Sequence, residues 1–134
     1  MKELSELKFL DDARYSKEHE WARLDKTTVR IGITDFAQDQ LGDIVFVDLP
    51  QMGKTFKKGE TFGTVESVKA VSELYMPVGG EILSVNTSLE TSPELVNKSP
   101  YQEGWMIEVK PDSSKDLESL LSKEAYINLL KGVE

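Results

Sequence analysis

The sequence predicts a mostly β protein of the sandwich or barrel class, with short helices and a C-terminal helix. Short β-branched runs fill the middle of the chain, turn signals separate them, and the helical patterns are brief and lie outside this core. The 134 residues match the length of one domain. We therefore expect a single domain over residues 1–134, with a β core at about 20–110 and a helical segment at about 113–131.

Strands are expected where apolar and polar residues alternate. The clearest case is Val29, Ile31 and Ile33, which alternate with Arg30 and Gly32. The other expected strands cover residues 44–49, 81–86 and 105–110, and a hairpin covers residues 61–67 and 70–76. Turn signals separate these runs at Asp25-Lys26, Lys58-Gly59 and Gly79-Gly80.

The tip of the expected hairpin is Val68-Lys69. Two-residue hairpin turns usually need positive φ and therefore favour Asn-Gly or Asp-Gly. A turn built against this preference is typical of a functional site. Lys69 at the end of a rigid hairpin suits covalent attachment of a swinging cofactor. The plain alternative is a solvated lysine on a surface loop.

Short helices are expected between the strands. Thr34 or Asp35 is placed to cap a brief helix that Gly42 ends. Ser92 followed by Pro93 has the pattern of an N-cap and a first helical residue, which predicts a second brief helix.

The C-terminal segment has a helical pattern of its own. Ser113 with Asp116 resembles a capping box, and Ser122 begins a further helical stretch that Gly132 ends. An apolar stripe runs through both stretches and consists of Leu117, Leu120, Leu121, Tyr126, Leu129 and Leu130. We expect this stripe to pack against the core.

Composition excludes several classes of function. The formal net charge of −8 disfavours nucleic acid and favours docking on basic protein surfaces. The absence of cysteine excludes disulfides and thiolate metal sites, and a single histidine makes a His-based zinc site implausible. The longest apolar run, residues 44–47, is too short for a membrane span. Residues 1–6 resemble neither a signal peptide nor a transit peptide, so we expect a cytoplasmic protein, or a mitochondrial matrix protein only if the chain is a processed eukaryotic one.

The candidate chemistry favours a carrier over an enzyme. His19 between Glu18 and Glu20 could act as a general base, but a structural histidine is the commoner case. The glycines match neither a phosphate-binding loop nor a dinucleotide fingerprint. A carrier needs only one exposed, placed amine, which Lys69 supplies. Glu66 offers a charge by which a modifying enzyme can recognise the tip.

Ordered blocks of residues across the chain resemble one family, the glycine cleavage system H proteins, which are lipoyl carriers. The blocks cover residues 15–21, 32–43, 45–50, 65–70, 77–81, 85–86, 95–97, 99–101 and 104–107. The block around Lys69 has Val68 and Ala70 beside the lysine, where a biotin carrier is expected to place Met on both sides. One block would be weak support, whereas the ordered set is strong.

The resemblance implies a flattened β-sandwich of the barrel-sandwich hybrid type with a C-terminal helix. It implies a non-catalytic carrier with lipoic acid in amide linkage to Lys69. In the family, glycine decarboxylase, a pyridoxal phosphate enzyme, loads the aminomethyl group of glycine. Aminomethyltransferase passes its carbon to tetrahydrofolate, and dihydrolipoamide dehydrogenase, which uses FAD and NAD, reoxidises the arm. A lipoyl or octanoyl transferase, or a lipoate ligase, attaches the group. We expect a monomer without nucleic acid or membrane partners.

The family also holds the loaded arm in a cleft on the carrier, which shields the labile aminomethyl group from water. The matching positions are Glu18, Glu20 and Glu73, with Phe36 near the cleft. Glu20 stands in the His-Glu-Trp context of the family residue. Glu18 stands where a serine can occur and Glu73 where an aspartate can occur, and Phe36 replaces a histidine seen in some members. Because an aminomethyl amine is cationic, carboxylates fit this role.

Two rival functions remain from the sequence. An H-like protein could relay lipoyl or octanoyl groups from the same lysine to other lipoyl domains. A small enzyme using His19 with a nearby carboxylate would turn over substrate without modification at Lys69.

Overall fold

The structure, a computed structural model, describes residues 3–132. This part of the chain contains nine strands and five α-helices. The strands are β1 (Arg14–Tyr15), β2 (Glu20–Asp25), β3 (Thr28–Ile33), β4 (Ile44–Asp48), β5 (Thr55–Phe56), β6 (Thr61–Ser67), β7 (Val71–Tyr75), β8 (Gly80–Val85) and β9 (Ile107–Pro111). The helices are α1 (Asp35–Leu41), α2 (Ser88–Thr91), α3 (Leu95–Lys98), α4 (Ser114–Glu118) and α5 (Lys123–Leu130).

Two antiparallel sheets form the fold. The larger sheet has the strand order β1-β2-β3-β9-β8-β5, and the smaller sheet has the order β4-β6-β7. Ile31 and Val109 of the larger sheet and Val65 and Leu74 of the smaller one belong to a single buried apolar cluster. The apolar faces of both sheets therefore share one core, as in a sandwich. The predicted flattened β-sandwich with short helices and a C-terminal helix is confirmed.

A second, aromatic cluster holds the N-terminal segment and α5 against β1 and β2. Its buried members are Ala13, Tyr15, Trp21, Tyr101 and Tyr126. The rings of Tyr15 and Tyr126 stack with their centroids 4.7 Å apart. The predicted packing of the C-terminal stripe is confirmed at Tyr126, whose side chain is fully buried.

Most helix limits follow their predicted caps. The Thr34 hydroxyl accepts the Ala37 N–H at 3.1 Å, and α1 ends at Gly42, whose φ is 80°. The Ser122 hydroxyl caps α5 in the same way by accepting the N–H of Ala125.

Two predicted helix starts differ from the structure. Ser113 caps α4, but the Asp116 carboxylate accepts the Gly79 N–H instead of closing a capping box. The helix predicted to begin after Ser92 starts at Leu95, because residues 93–94 form a turn first.

Candidate functional site

The predicted hairpin is formed by β6 and β7, which are joined by Val68, Lys69 and Ala70. The strands pair antiparallel, with Glu66 opposite Val71. The Ser67 N–H donates to the Ala70 carbonyl oxygen at 2.8 Å, which closes the loop around Val68 and Lys69. Lys69 therefore lies at the end of two paired strands.

The prediction that this turn is built against backbone preference is wrong. Within residues 3–132, the non-glycine residues with positive φ are His19 and Lys26, so neither tip residue is strained. The Ser67 hydroxyl instead satisfies the turn by accepting the N–H groups of Lys69 at 3.2 Å and Ala70 at 3.0 Å. A side-chain acceptor of this kind substitutes for the turn geometry that Asn-Gly would supply.

The tip is fixed to the body of the protein as well. The Val68 N–H donates to the Asp43 carbonyl oxygen at 3.1 Å, which ties the turn to the loop that follows α1. Gly42 precedes that loop residue, and a Cβ atom built on Gly42 would lie 3.7 Å from Cε of Lys69. The root of the Lys69 side chain is thus held beside the end of α1.

Lys69 presents a free primary amine. Its side chain is exposed, and its ammonium group has no hydrogen-bond or ion-pair partner within residues 3–132. The neighbour on the C-terminal side, Ala70, is small and exposed as well. An accessible, unpaired amine on an ordered turn has the chemistry that acylation by a carboxylic cofactor requires.

Glu20 lies buried at the start of β2, and its side chain is only 2% exposed. The Ser16 hydroxyl donates to Oε1 at 2.7 Å, and the Tyr75 N–H donates to Oε2 at 3.3 Å. Burial raises the pKa of Glu20 to about 8, although these hydrogen bonds oppose the shift. The Glu18 carboxylate nearby raises this pKa further.

Glu18 and Glu73 are both exposed, in contrast to this buried acid. Glu73 accepts a hydrogen bond from the Tyr75 hydroxyl at 2.9 Å, and that bond is the main cause of the raised pKa of Tyr75. The fields of Glu18 and Glu20 also act on the Tyr75 hydroxyl. The three predicted acids therefore converge on Tyr75, at the end of β7 far from the hairpin tip.

Phe36 lies behind the acids and packs on His19, with ring centroids 4.8 Å apart. The His19 backbone has a φ of 72°, and its Nδ1 is 2.8 Å from the Tyr126 hydroxyl. The Thr34 hydroxyl is also 2.8 Å from the Tyr126 hydroxyl. Burial lowers the pKa of His19, while Glu18 opposes this shift. The His19 ring thus connects the acidic loop to α5 and is engaged in packing.

A cavity of about 230 Å³ adjoins the acids. Its lining includes Glu18, Glu20, Met76, Pro77 and Leu121. The cavity therefore combines an apolar wall with two carboxyl groups. Phe36, Glu73 and Lys69 do not line it.

Sequence reasoning missed two residues that hold the buried acid. Ser16 and Tyr75 supply its hydrogen bonds, yet a serine four residues before a glutamate carries no periodic signal. The Tyr75 contribution comes from the backbone and has no signal in side-chain identity.

In the described part of the chain, no group of three or more His, Cys, Asp or Glu residues could hold a metal ion. No helix there is long and apolar enough to cross a membrane.

Known proteins match almost the whole chain. Residues 13–133 match the family model described as glycine cleavage H-protein. A glycine cleavage system H protein from Oceanobacillus iheyensis is 58% identical over 115 residues, which cover 86% of this chain and 91% of that relative. One from Bacteroides thetaiotaomicron is 52% identical over 126 residues, which cover 94% of this chain and 100% of that relative.

A solved structure agrees with these relatives. The crystal structure of a glycine cleavage system H protein from Mycobacterium marinum is similar to this chain with a TM-score of 0.83 and 37% sequence identity. The match covers 93% of this chain and 100% of that chain. The family model, the relatives and the shared fold confirm the resemblance seen in the sequence, and the chain belongs to the glycine cleavage H-protein family.

Proposed function

We propose that this chain, as one domain over residues 1–134, is a non-catalytic carrier that holds a lipoyl group in amide linkage to Lys69. The observation that supports this most strongly is the unpaired amine at the tip of a hairpin that is itself hydrogen-bonded to the body of the protein. A rigid support converts a diffusing cofactor into a tethered one and raises its effective concentration at the partner enzymes. The family assignment agrees with this role.

Attachment is an acyl transfer onto the lysine. A bond forms between Nζ of Lys69 and the carboxyl carbon of an activated lipoyl group held by a partner enzyme. The activating group leaves with its bonding electron pair, and the ammonium nitrogen releases two protons. Ser67 holds the backbone of the nucleophile in place during this step. Glu66 is proposed as a recognition charge for the attaching enzyme, a lipoyl or octanoyl transferase or a lipoate ligase.

A bound lipoyl group supplies a dithiolane that accepts and releases the aminomethyl group of glycine. The exposed carboxylates of Glu18 and Glu73 are suited to receiving a cationic amine. Glu20, in the wall of the cavity, is uncharged near neutral pH because burial raises its pKa, and a cation beside it would favour its ionised form. Phe36 would back this cleft through its contact with His19. Excluding water from the cleft would slow loss of the carried group.

The proposed partners divide the chemistry among themselves. Glycine decarboxylase with pyridoxal phosphate loads the arm, aminomethyltransferase with tetrahydrofolate unloads it, and dihydrolipoamide dehydrogenase with FAD and NAD reoxidises it. The bond-breaking, group-transfer and redox steps are carried out by these cofactors in the partner enzymes. The carrier supplies one tethering residue and a shielding cleft, as a monomer in the cytoplasm.

Intact-protein mass spectrometry with peptide mapping tests the proposal directly. Material from cells that contain lipoylation enzymes and lipoate should gain the mass of one lipoyl group at Lys69. The loaded protein should then support glycine cleavage with purified partner enzymes. An unmodified Lys69 in cells that lipoylate a control domain would overturn the proposal. Transfer of the group from Lys69 to a separate lipoyl domain, without glycine cleavage, would assign a relay function instead.

A further inference from the structure

The outward-facing side of the smaller sheet carries an exposed apolar patch next to Lys69. Phe46 on β4 lies opposite Glu66 on β6, and Glu66 lies opposite Val71 on β7. Residues directly opposite each other in antiparallel strands project from the same side of a sheet. Phe46 is 51% exposed and Val71 is 66% exposed, so this row faces away from the core.

Two further apolar side chains extend the row towards the lysine. Val45 precedes Phe46 and is 53% exposed, and Val68 in the turn is 70% exposed. We call the surface formed by Val45, Phe46, Glu66, Val68 and Val71 the outer face. It holds four of the seven large hydrophobic residues that are exposed in the described part of the chain. Single exposed apolar residues are ordinary, whereas a contiguous group marks a surface that binds a partner.

Acidic side chains accompany this patch. Glu66 lies at its centre, and the next row of the sheet brings Asp48 opposite Thr64 and Thr64 opposite Glu73. Within residues 3–132, neither Glu66 nor Asp48 forms an ion pair. Negative charges beside apolar side chains are complementary to a partner face that carries Lys or Arg beside apolar side chains.

The outer face is separate from the acidic cavity. Glu20 reaches β7 through the backbone N–H of Tyr75, that is, from the hydrogen-bonding edge of the strand. The Phe46–Glu66–Val71 row projects perpendicular to that edge. None of the five outer-face residues lines the cavity that contains Glu20. A protein seated on the outer face can thus reach Lys69 without covering the cavity, although it would lie beside Glu73.

We propose that the outer face is the docking surface for the enzyme that acylates Lys69, a partner whose contact face presents apolar side chains together with Lys or Arg. The inference rests on the proposed attachment of a lipoyl group at Lys69. Phe46 and Val71 supply the apolar anchor, since an aromatic and a β-branched side chain on the two strands that flank β6 are held in place by the sheet. Glu66 and Asp48 supply the complementary charge.

The first experiment uses Phe46→Ser and Val71→Ser, with Leu24→Ser as the matched control. Leu24 is 54% exposed and lies on β2 of the other sheet, so the control removes a similar apolar side chain at a distance from Lys69. The probe is a lipoate ligase that acylates the wild-type chain, and the readouts are the acylation KM and the dissociation constant measured with each change placed in a Lys69→Arg chain. We expect each outer-face variant to bind about tenfold more weakly or worse, with the control unchanged.

Charge variants separate recognition from folding. Glu66→Gln and Asp48→Asn should raise the acylation KM and flatten its dependence on salt, because electrostatic steering acts mainly on association. Glu118→Gln is a matched neutralisation of an exposed acid on α4 and should leave both quantities unchanged. All variants should keep the wild-type midpoint of thermal unfolding to within a few degrees.

The outcomes distinguish the two claims. Wild-type binding and KM in Phe46→Ser and Val71→Ser would overturn the docking surface while leaving the carrier function intact. Sedimentation tests whether the wild-type chain self-associates and whether Phe46→Ser abolishes this. If both are observed, the outer face binds a second copy of the chain, and the proposed docking surface for the acylating enzyme is overturned. Failure of every tested ligase and transferase to modify wild-type Lys69 would remove the carrier function and the docking surface together.

Discussion

The Glu20 carboxyl group, on β2, accepts a hydrogen bond from the backbone N–H of Tyr75, on β7, at 3.3 Å. This bond joins the larger sheet to the smaller one at the end of the strand that begins beside Lys69. The buried acid and the tip lysine therefore lie at opposite ends of β7. One strand, β7, therefore links the lysine at the tip to the carboxyl group in the wall of the cavity.

Glu20 should make the stability of the protein depend on pH. Its pKa in the folded chain, about 8, lies above the ordinary value of 4.5, so the folded state binds the proton more tightly. Its contribution is fully present below the ordinary value and is lost as the pH rises towards 8. We expect the free energy of unfolding to fall over this window, by up to about 1.4 kcal/mol per pH unit. Denaturant unfolding at several pH values between 5 and 9 measures this fall in the free energy of unfolding.

The matched variants for this prediction are Glu20→Gln and Glu18→Gln. Glutamine keeps the shape of Glu20 and should remove its part of the slope, whereas Glu18 is exposed and its replacement should have little effect. His19, whose pKa is lowered, acts in the opposite sense, so the difference between wild type and Glu20→Gln isolates the glutamate. Identical slopes in wild type and Glu20→Gln would contradict an uncharged buried Glu20.

Lys69→Arg should abolish the mass gain at the hairpin tip and leave stability unchanged. Arginine keeps the charge but offers no amine that can be acylated under these conditions. The measurement is intact mass after incubation with a ligase and lipoate. Lys54→Arg changes another exposed lysine and should be modified at Lys69 as efficiently as the wild type. A lipoyl adduct on the Lys69→Arg chain would refute the attachment site.

Ser67→Ala should loosen the turn that carries the lysine. The change removes a hydroxyl that accepts two backbone N–H groups, which should cost about 0.5–2 kcal/mol of stability. Amide exchange at Lys69 and Ala70 should become faster, and acylation at Lys69 should slow. Ser5→Ala, in the N-terminal segment, is the control. Unchanged exchange at both amides would mean that Ser67 does not order the tip.

His19→Ala should weaken the fold without affecting attachment. The variant loses the contacts with Tyr126 and Phe36, and we expect a loss of about 1–3 kcal/mol. Acylation of Lys69 should stay at the wild-type rate in the folded fraction. His19→Asn is the comparison, since asparagine tolerates positive φ. Substrate turnover by unmodified protein that disappears in His19→Ala would support an enzyme instead.

Gly63→Ala should disrupt the smaller sheet. A Cβ atom at Gly63 would overlap the main-chain carbonyl oxygen of Asp48, so β4 must move away from β6. Because backbone cannot yield as a flexible side chain does, we expect a loss above about 2 kcal/mol. Thr64→Ala, at the next position, should cost much less. The measurement is the midpoint of thermal unfolding of each variant. Equal midpoints would contradict a steric overlap between a Cβ atom at Gly63 and the Asp48 carbonyl oxygen.

Strands that turn residues bound, or that show clear alternation of apolar and polar residues, could be predicted from the sequence. The β6–β7 hairpin and β3 were found because turns bound the first and alternation marks the second. β2 was not predicted, since buried Glu20 and exposed Leu24 invert the expected order of polar and apolar faces. β1 and β5 each contain two residues, too few for any period to appear.

The candidate site also contains some features that could be predicted from the sequence and others that could not. The position of Lys69 at a hairpin tip could be predicted because a tip between two β-rich runs is a local property of the chain, whereas its role as an attachment site stays a prediction. The burial of Glu20 could not be foreseen, because it depends on Tyr75, 55 residues away in sequence. The support of the turn by Ser67 was missed because hairpin rules describe backbone angles and not a serine hydroxyl that replaces them.

The hydrogen bond from Val68 to the carbonyl oxygen of Asp43 has a mechanical consequence. This bond fixes the turn to the body of the protein. A group attached to Lys69 would therefore rotate about a fixed attachment point instead of moving with a mobile loop. The reach of such a group is then set by the length of its own bonds, and its centre of rotation is the same for every partner. Under the proposed function, the enzymes that share this carrier would need to place their active sites at one common distance from that point.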